Sequence, residues 1–303
     1  MKKVLVTGAS GFLGRYVVQI LEILNYNIDT IGRNEDATYK VNISEHIDGL
    51  ETYYDAVIHI AGKAHMIPKT EEEKKDFFDV NYKGTLNLIN ALQKEPKYFV
   101  FISSVSVYGL QHGENIKEDT PLKATNPYGK SKIMAEELIL DWGKKYNTLI
   151  TVLRLPLLIG NNPPGNLKSL INSIRRRYYF NVGYKDVRKS VVFAHDVANF
   201  IPDVMKIGGI YNLTDGYHPS FIELSNTIVQ YFKVKRPLVI SFFVAWFMAL
   251  VGEVIQIVFN MKMPINFLQL EKLTNSLTFN DEKARSIGWN SRSVIEHPND
   301  WLN

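Results

Sequence analysis

A tyrosine and a lysine stand four residues apart in the sequence Asn-Pro-Tyr-Gly-Lys-Ser-Lys at residues 126–132. Asn126 is suited to cap a helix, and Pro127 is suited to its first position. The spacing therefore predicts that Tyr128 and Lys132 project from one helix face, about a turn apart. A protonated lysine close to a phenol stabilises the phenolate and lowers its pKa from about 10. Such a pair would act as a general acid or base at an alcohol or carbonyl, an effect typically worth ~10²–10⁴ in rate.

A serine-rich segment precedes this pair. We predict a strand over Tyr98–Ser103 that runs into Ser103-Ser104-Val105-Ser106-Val107-Tyr108-Gly109. In an open parallel sheet, ligands bind at the carboxyl ends of the strands. A tyrosine and a lysine at this spacing also occur by chance on helix surfaces. The strand-end serine, together with the glycine-rich turn at the start of the chain, makes the pair a specific indication of a catalytic site.

The glycine-rich turn lies in the segment 2–14, where an apolar run is followed by Gly8, Gly11 and Gly14. The pattern predicts a strand, a tight turn and a helix that continues to about Leu24. The first glycine allows the sharp turn, the second allows a pyrophosphate to approach the backbone, and the third allows close packing of helix and strand. The helix N-terminus then offers free N–H groups to a diphosphate. We therefore predict a dinucleotide site rather than a simple packing turn.

The residues after the second predicted strand, Asn27–Ile31, bear on the choice of cofactor. An acid at this place favours NAD, because it accepts hydrogen bonds from the ribose hydroxyls, whereas an arginine suits the 2′-phosphate of NADP. Here the chain has Gly32-Arg33, and the first acid is Glu35. Arg33 therefore favours NADP over NAD, the alternative being an ordinary solvated arginine. Asn42, in a third predicted strand, would lie near the adenine.

The remaining pattern alternates strands and helices, which is typical of a doubly wound α/β sheet. His59 lies inside an apolar strand and is interpreted as a core histidine. The polar Asn81 interrupts a long apolar helix face, and so needs partners. The predicted elements are strands at Tyr39–Ile43, Asp55–Ala61, Leu149–Leu155 and Ile210–Leu213, and helices at 71–94, 127–145, 167–177 and Ser220–Phe232.

The length, charge and composition of the chain limit the classes of protein to which it can belong. The 303 residues suit one large domain or a cofactor domain with a smaller lid, and the net charge of +4 is dispersed apart from Arg175-Arg176-Arg177. We therefore expect no nucleic-acid partner. The chain has no cysteine, and its seven histidines lack ligand spacing, so we expect no disulfide and no metal site. Met1 leads directly into the first strand without a signal-peptide pattern, and we expect a cytoplasmic protein.

The segment Pro237–Phe259 is the most apolar in the chain and carries no charge between Arg236 and Glu253. Spanning a bilayer takes ~20 predominantly apolar residues, and this uncharged run is shorter. We favour a buried lid helix or a subunit-interface helix, the latter in a possible homodimer, over a surface that contacts membrane through residues 238–259. Membrane contact would suit a lipid-linked sugar or a sterol-type substrate.

The ordered motifs resemble the extended short-chain dehydrogenase/reductase family, of the NAD-dependent epimerase/dehydratase type and its nucleotide-sugar branch. The matching segments are Thr7-Gly8-x-x-Gly11-x-x-Gly14, Asp55-Ala56-Val57-Ile58-His59-Ile60-Ala61, Asn81-x-x-Gly84-Thr85, Ser103-Ser104-x-x-Val107-Tyr108-Gly109, Tyr128-Gly129-Lys130-Ser131-Lys132 and, later, Val187–Val197. The resemblance implies a Rossmann-type sheet with a C-terminal substrate-binding lid. The cofactor domain would comprise residues 1–162 and 190–213, and the lid residues 163–189 and 214–303.

The resemblance also implies the roles of the site residues. Tyr128 would be the catalytic acid/base, Lys132 would hold the nicotinamide ribose and tune the tyrosine, and Ser104 would hydrogen-bond the reacting oxygen. Cofactor contacts are expected from Gly8, Gly11, Phe12, Leu13, Gly14, Arg33, Asn42, Ala61, Gly62, Tyr128 and Lys132. Substrate contacts are expected from His65, Ser106, Asn166 and Arg188, and Lys189 lies beside Arg188 in the same stretch.

The function implied is hydride transfer at a carbon of a nucleotide-diphosphate sugar, by an epimerase or a 4-keto-sugar reductase that uses NADP or NAD. Dehydration is disfavoured, because Ser104-Val105-Ser106 lacks the acid pair that the 4,6-dehydratases carry there. Two alternatives stay open. One is an NADPH-dependent reductase or dehydrogenase of an apolar, sterol- or flavonoid-like ketone. The other is a non-enzymatic protein that binds and senses NADP.

Overall fold

A seven-stranded parallel sheet forms the centre of the computed structural model, which describes residues 2–50, 53–64, 68–183, 186–259 and 266–303. Its order is β3-β2-β1-β4-β5-β7-β11, with strands numbered along the chain. Their bounds are β1 Lys3–Thr7, β2 Asn27–Gly32, β3 Tyr39–Lys40, β4 Ala56–His59, β5 Tyr98–Ser104, β7 Leu149–Leu155 and β11 Gly209–Asn212. This is the expected Rossmann-type α/β fold. The central strands consist of nearly continuous apolar residues, because helices cover both faces of the sheet.

Helices on the two faces enclose separate apolar cores. One core packs α1 and α6 on the sheet through residues such as Val17 and Ile201, and the other packs α3 and α4 through Leu88 and Ile139. The helices are α1 Phe12–Ile23, α2 Glu71–Phe78, α3 Gly84–Ala91, α4 Pro127–Tyr146, α5 Gly165–Arg175, α6 Ala194–Val204, α7 Phe221–Phe232, α8 Phe242–Phe259, α9 Phe267–Thr274, α10 Glu282–Arg285 and α11 Asn299–Leu302.

The strand order reverses at β1, because β2 pairs on one side of it and β4 on the other. In a doubly wound sheet this reversal opens a crevice at the carboxyl ends of the strands, where ligands bind. The Gly8 N–H donates to the Ile31 carbonyl and the Ile60 N–H to the Thr7 carbonyl, so the ends of β2, β1 and β4 are held together. The glycine turn therefore lies in the crevice.

Outside the central sheet, the chain forms three two-stranded ladders and a third apolar core. That core joins α5, α7 and α11 and includes Ile171, Ile228 and Trp301. The ladders pair β8 Leu157–Ile159 with β10 Val191–Phe193, β9 Phe180–Gly183 with β12 Leu238–Ser241, and β13 Leu277–Phe279 with β6 Gly113–Ile116. The division into a cofactor domain and a lid at the expected boundaries stays a prediction.

Two predicted elements need correction. The helix expected over 71–94 is interrupted by a π-helical turn, Asp79–Lys83, between α2 and α3. The wider turn directs the buried Asn81 toward polar partners. The strand expected over 39–43 ends at Lys40, because Asn42 starts a turn in which its side chain and carbonyl accept N–H groups from Ser44 and Glu45.

The apolar segment after Pro237 forms β12 and then α8, and its large side chains are not buried by the rest of the chain. Phe243 is 81% exposed and Phe247 61%. The interpretation as a buried lid helix is therefore wrong for these side chains, and a subunit interface or a membrane contact stays open. Within the described ranges, the structure contains no helix of sufficient length and apolarity to cross a bilayer.

A buried ion pair ties α4 to the sheet. The Arg154 guanidinium donates to the Glu136 carboxylate at 2.7 Å, and their side chains are only 4% and 2% exposed. Ser103, in β5, donates to the same carboxylate at 2.5 Å. Arg154 also donates to the Tyr108 hydroxyl at 3.1 Å and to the Glu118 carbonyl at 2.9 Å. One carboxylate thus links α4 to β5 and β7.

We expect Glu136→Gln to lower the free energy of unfolding by about 3 kcal/mol, because it leaves the buried Arg154 charge unneutralised. Glu137→Gln, the neighbouring exposed position, is the matched control and should change it by less than about 0.5 kcal/mol. Urea denaturation of both variants measures the difference. Equal effects of the two substitutions would contradict a structural role for the ion pair.

Candidate functional site

Ser104 and Tyr128 lie at the carboxyl edge of the sheet, on elements that the local sequence defines. Ser104 ends β5, and its hydroxyl accepts the Ser106 N–H at 3.2 Å to cap a short 3₁₀ turn, Val105–Tyr108. Helix α4 starts where predicted. The Asn126 side chain accepts the Gly129 N–H at 2.8 Å, and Pro127 occupies the first turn. Tyr128 is therefore the second residue of the helix.

The Tyr128 ring contacts that of Phe77, with centroids 6.0 Å apart. Burial raises the pKa of Tyr128, and the Ser104 hydroxyl opposes the rise. The expectation that Lys132 lowers this pKa is not met in the structure. The Lys132 ammonium bonds elsewhere, so the effect of burial prevails.

Lys132 is buried one helical turn from Tyr128, on the same helix face. Its ammonium donates to the Ile102 carbonyl at 2.8 Å and lies 4.6 Å from the centroid of the Phe101 ring. Burial lowers the pKa of Lys132 to about 8, while the negative charge of Glu136 acts against the shift. The ammonium is thus held beside β5.

Asn81 and Ser131 support this region and were not predicted as site residues. The Asn81 amide accepts the Lys63 N–H at 2.7 Å and donates to the Ser131 hydroxyl at 2.9 Å. Ser131 in turn donates to the Tyr128 carbonyl at 2.8 Å. The π turn is thereby connected to the backbone of α4. A polar residue in an apolar helix face was the available signal, but the sequence did not name its partners.

His59 is a core residue, as expected, and it orders a chain of hydrogen bonds. Its Nδ1 lies 2.6 Å from the Thr7 hydroxyl and its Nε2 2.9 Å from the Thr85 hydroxyl. The Thr85 hydroxyl donates to the Asn81 carbonyl and the Thr7 hydroxyl accepts the Ala61 N–H, so the bonds fit a neutral ring with its proton on Nε2. Burial, with a smaller contribution from the Lys132 charge, lowers the pKa of His59 to about 3. We therefore assign it no proton transfer.

The glycine turn fits a dinucleotide. Gly8 has a φ of +73°, and a Cβ there would lie 2.7 Å from the Ala61 nitrogen. A Cβ on Gly14 would lie 2.1 Å from the Gly8 carbonyl oxygen. Gly11 caps α1 with no side-chain hydrogen bond, and the first turn of the helix has no acid. Free N–H groups and the positive end of the helix dipole thus face the crevice, as a diphosphate requires.

The other predicted cofactor residues surround this turn. Phe12 and the buried Leu13 begin α1, while Ala61 and Gly62 follow β4. A Cβ on Gly62 would lie 3.2 Å from the Lys132 ammonium nitrogen, which places that glycine beside α4. Arg33 is exposed directly after β2. The Asn42 side chain instead bonds within its own turn, donating to Glu45 at 3.3 Å.

The predicted substrate residues are only partly brought together. Ser106 lies in the site, 3.2 Å from the Ser104 hydroxyl, and Asn166 is exposed at the start of α5. Arg188 bonds to Asp186 at 2.8 Å and to the His218 carbonyl at 3.2 Å. His65 lies outside the described residues. In the part of the chain that the structure describes, no group of three or more His, Asp or Glu side chains could hold a metal ion.

Solved structures share this fold. UDP-glucose 4-epimerase from Bifidobacterium longum, in complex with NAD⁺ and UDP, superimposes with a TM-score of 0.71 at 20% identity, covering 97% of this chain and 95% of that one. RMD from Pseudomonas aeruginosa, complexed with NADPH, gives a TM-score of 0.73 at 21% identity, covering 98% and 96%. At these identities, the similarity supports the fold alone.

Sequence relatives divide by how much of the chain they match. The N-acetyl-α-D-glucosaminyl-diphospho-ditrans,octacis-undecaprenol 4-epimerase of Escherichia coli O157:H7 is 26% identical over 94% of this chain and 89% of its own length. The UDP-glucose 4-epimerase of Dictyostelium discoideum is 32% identical, but over only 46% of each chain. This chain thus spans about half of the latter protein.

A family model decides the assignment, because it matches residues 4–213, the larger part of the chain. The matched range contains the glycine turn, Ser104, Tyr128 and Lys132. The protein therefore belongs to the NAD-dependent epimerase/dehydratase family, as an NAD(P)-dependent enzyme of the extended short-chain dehydrogenase/reductase type.

Proposed function

We propose that this enzyme is a 4-epimerase or 4-keto-sugar reductase that acts on a sugar carried by a diphosphate, with Tyr128 as the acid/base. The observation that carries the proposal is that Ser104 ends β5 and Tyr128 lies in the first turn of α4, with Lys132 one helical turn further along the same helix. The Ser104 hydroxyl acts on the pKa of the Tyr128 phenol, so the two groups are near enough to bond to the same substrate oxygen. One of the two can then exchange a proton with that oxygen.

The chain supplies the proton chemistry. A bound nicotinamide dinucleotide, held by the glycine turn and Lys132, would supply or accept a hydride. The raised pKa of Tyr128 keeps its phenol protonated near neutral pH, which suits proton donation to a carbonyl oxygen. Removal of a proton from an alcohol needs the phenolate. We infer that this direction depends on the positive charge of Lys132, which must turn from the Ile102 carbonyl toward the site.

Cations outside the catalytic helix support an anionic substrate. Lys189 is half-buried, and burial together with repulsion from the charge of Lys272 lowers its pKa to about 8, while the negative charge of Glu271 acts against the shift. Two ammonium groups that repel one another would be stabilised by a phosphate between them. The relatives' names include both a polyprenol-diphosphate sugar and a UDP sugar. The diphosphate is common to both, and assays with each carrier will distinguish them.

The proposal includes NADP as the preferred cofactor. It rests on Arg33, which is exposed at the carboxyl end of β2, on the side of the crevice where an adenosine ribose would lie. A guanidinium can form paired hydrogen bonds with a 2′-phosphate. NAD would gain no comparable interaction from this residue.

Tyr128→Phe should reduce kcat by ~10²–10⁴, because it removes the exchangeable proton and leaves the aromatic ring. The measurement is turnover with NADPH or NADH and a panel of UDP-, dTDP- and polyprenyl-diphosphate 4-ketosugars, and interconversion of the corresponding 4-epimers. Tyr146→Phe, an exposed position at the end of the same helix, is the control and should retain full activity. Undiminished turnover in Tyr128→Phe would sink the mechanism.

Lys132→Met should abolish most of the activity without loss of stability at pH 7. In the folded enzyme the pKa of Lys132 is about 8, against 10.5 as its ordinary value. Between these values the unfolded chain binds more protons, so the contribution of Lys132 to stability rises with pH across this window. At pH 7 the buried charge costs about 3 kcal/mol, which methionine removes.

The melting temperature of Lys132→Met should therefore exceed that of the wild type by the largest amount below pH 8, and by less toward pH 10. Lys130→Met, an exposed position on the same helix, is the control and should show no such dependence. A pH-independent difference between the wild type and Lys132→Met would contradict a buried ammonium at this position.

Arg33→Gln should raise the KM for NADPH by about ten-fold or more, the value of a charge-assisted hydrogen bond, and leave the KM for NADH nearly unchanged. Lys144→Gln, at the exposed end of α4, is the charge-matched control. Equal changes in both KM values would show that Arg33 does not select the 2′-phosphate.

A further inference from the structure

Helix α8 is packed with its small side chains inward. Ala245 and Ala249 are fully buried, and Gly252 is also buried. The two alanines form a small core with Leu270 of α9 and with residues of β9 and β12. A helix that binds its own protein through alanine and glycine approaches closely but buries little apolar area. Phe242 and Met248 also pack on this core, and most of the other described large side chains of α8 are exposed.

Those large side chains form an exposed surface that β12 extends. Leu238 and Val239 in β12 are 75% and 65% exposed, and the tryptophan of α8, Trp246, is 44% exposed. We name this surface the apolar face; it consists of Leu238, Val239, Phe243, Val244, Trp246, Phe247, Leu250, Val251 and Val254. Contiguous exposed apolar surface of this kind marks a binding surface in a soluble fold.

A basic cluster adjoins the apolar face at one end. Strand β12 pairs in parallel with β9, with Leu238 opposite Phe180, so the residues that precede the two strands lie side by side. The Arg175 guanidinium lies 4.6 Å from the centroid of the Phe232 ring, which confirms this proximity. The basic cluster consists of Arg175, Arg176, Arg177, Lys233, Lys235 and Arg236, all of them exposed.

The charge around the apolar face favours a lipid bilayer over a second copy of this chain as the partner of that face. Residues 175–183 and 233–252 contain no aspartate or glutamate, and the first acid along α8 is Glu253, next to Val254 of the apolar face. A two-fold interface through the apolar face would bring the same surface from both copies together, and Glu253 would be the one carboxylate that α8 of each copy offers to the cations. At the surface of an anionic bilayer, Phe and Trp side chains can insert between the acyl chains near the headgroups. The lipid phosphates can then pair with the cations of the basic cluster beside them.

We infer that the apolar face and the basic cluster dock this enzyme on the surface of an anionic lipid bilayer, with the side chains of α8 inserted at the level of the headgroups. The helix lies on the membrane rather than across it. The inference concerns a surface outside the catalytic site and holds whichever carrier the sugar substrate has.

Flotation of the full-length protein with lipid vesicles tests the inference. The protein should float with vesicles of phosphatidylcholine and phosphatidylglycerol, less with phosphatidylcholine alone, and less again as salt screens the basic cluster. On addition of anionic vesicles, the fluorescence of Trp246 should shift to shorter wavelength. Trp246→Phe should remove the shift, because Trp289 and Trp301 are buried and Trp142 is half-buried.

Variants separate the two parts of the surface. Phe243→Ser with Phe247→Ser should lower the vesicle-bound to free ratio at least about ten-fold, since two exposed aromatic side chains lose their apolar contact. Ile23→Ser with Leu24→Ser, which are exposed at the end of α1, is the matched control. Arg175→Glu with Arg236→Glu should remove the preference for anionic lipid, whereas Lys144→Glu with Lys145→Glu should not.

Two results would overturn the inference. In the first, the wild type does not float with anionic vesicles; in the second, the Phe243/Phe247 variant floats as well as the wild type. If the wild type binds no lipid and light scattering shows a dimer that the Phe243/Phe247 variant disperses, a second copy covers the apolar face. Unchanged binding of NADPH verifies that each variant is folded, and the salt and Trp246 measurements on the wild type need no variant to fold.

Discussion

The buried Glu136 carboxylate sets the position of α4, the helix that carries Tyr128 and Lys132. It receives hydrogen bonds from Arg154 of β7 and Ser103 of β5, so α4 cannot slide or rotate without exposing or unpairing a charge in the apolar interior. Tyr128 and Lys132 lie two turns and one turn before Glu136 on the same helix face. Their distances from the strand ends therefore follow from an ion pair in the buried interior.

A second set of bonds holds the opposite side of the crevice. The neutral His59 ring joins Thr7, at the end of β1, to Thr85 in α3, and the π turn carries Asn81 to the backbone after β4. The glycine turn and the catalytic helix are thus connected through buried polar groups that are all paired. Such networks tolerate little movement, which suits a site that must align two reacting molecules.

Sequence reasoning went furthest where chemistry depends on local spacing. The glycine turn, the cap of α4 and the positions of Ser104, Tyr128 and Lys132 follow from short motifs, and the parallel sheet follows from their alternation with apolar runs. Contacts between distant residues were not accessible. Arg154 meets Glu136 only because β7 lies beside β5, and hydropathy could not tell that α8 turns its large side chains outward. The Lys132 ammonium bonds to the backbone carbonyl of Ile102, a contact that no sequence motif indicates.

The π turn between α2 and α3 accommodates one residue more than an α-helical turn would. An α-helix advances about 100° per residue, so the buried Phe77 and Leu88 would lie within about 20° of one another on an unbroken helix. Deletion of one residue at 79–83 would therefore close the wide turn and leave both helices on the faces they now present. Its cost would fall on Asn81, which would lose its place beside Lys63 and Ser131.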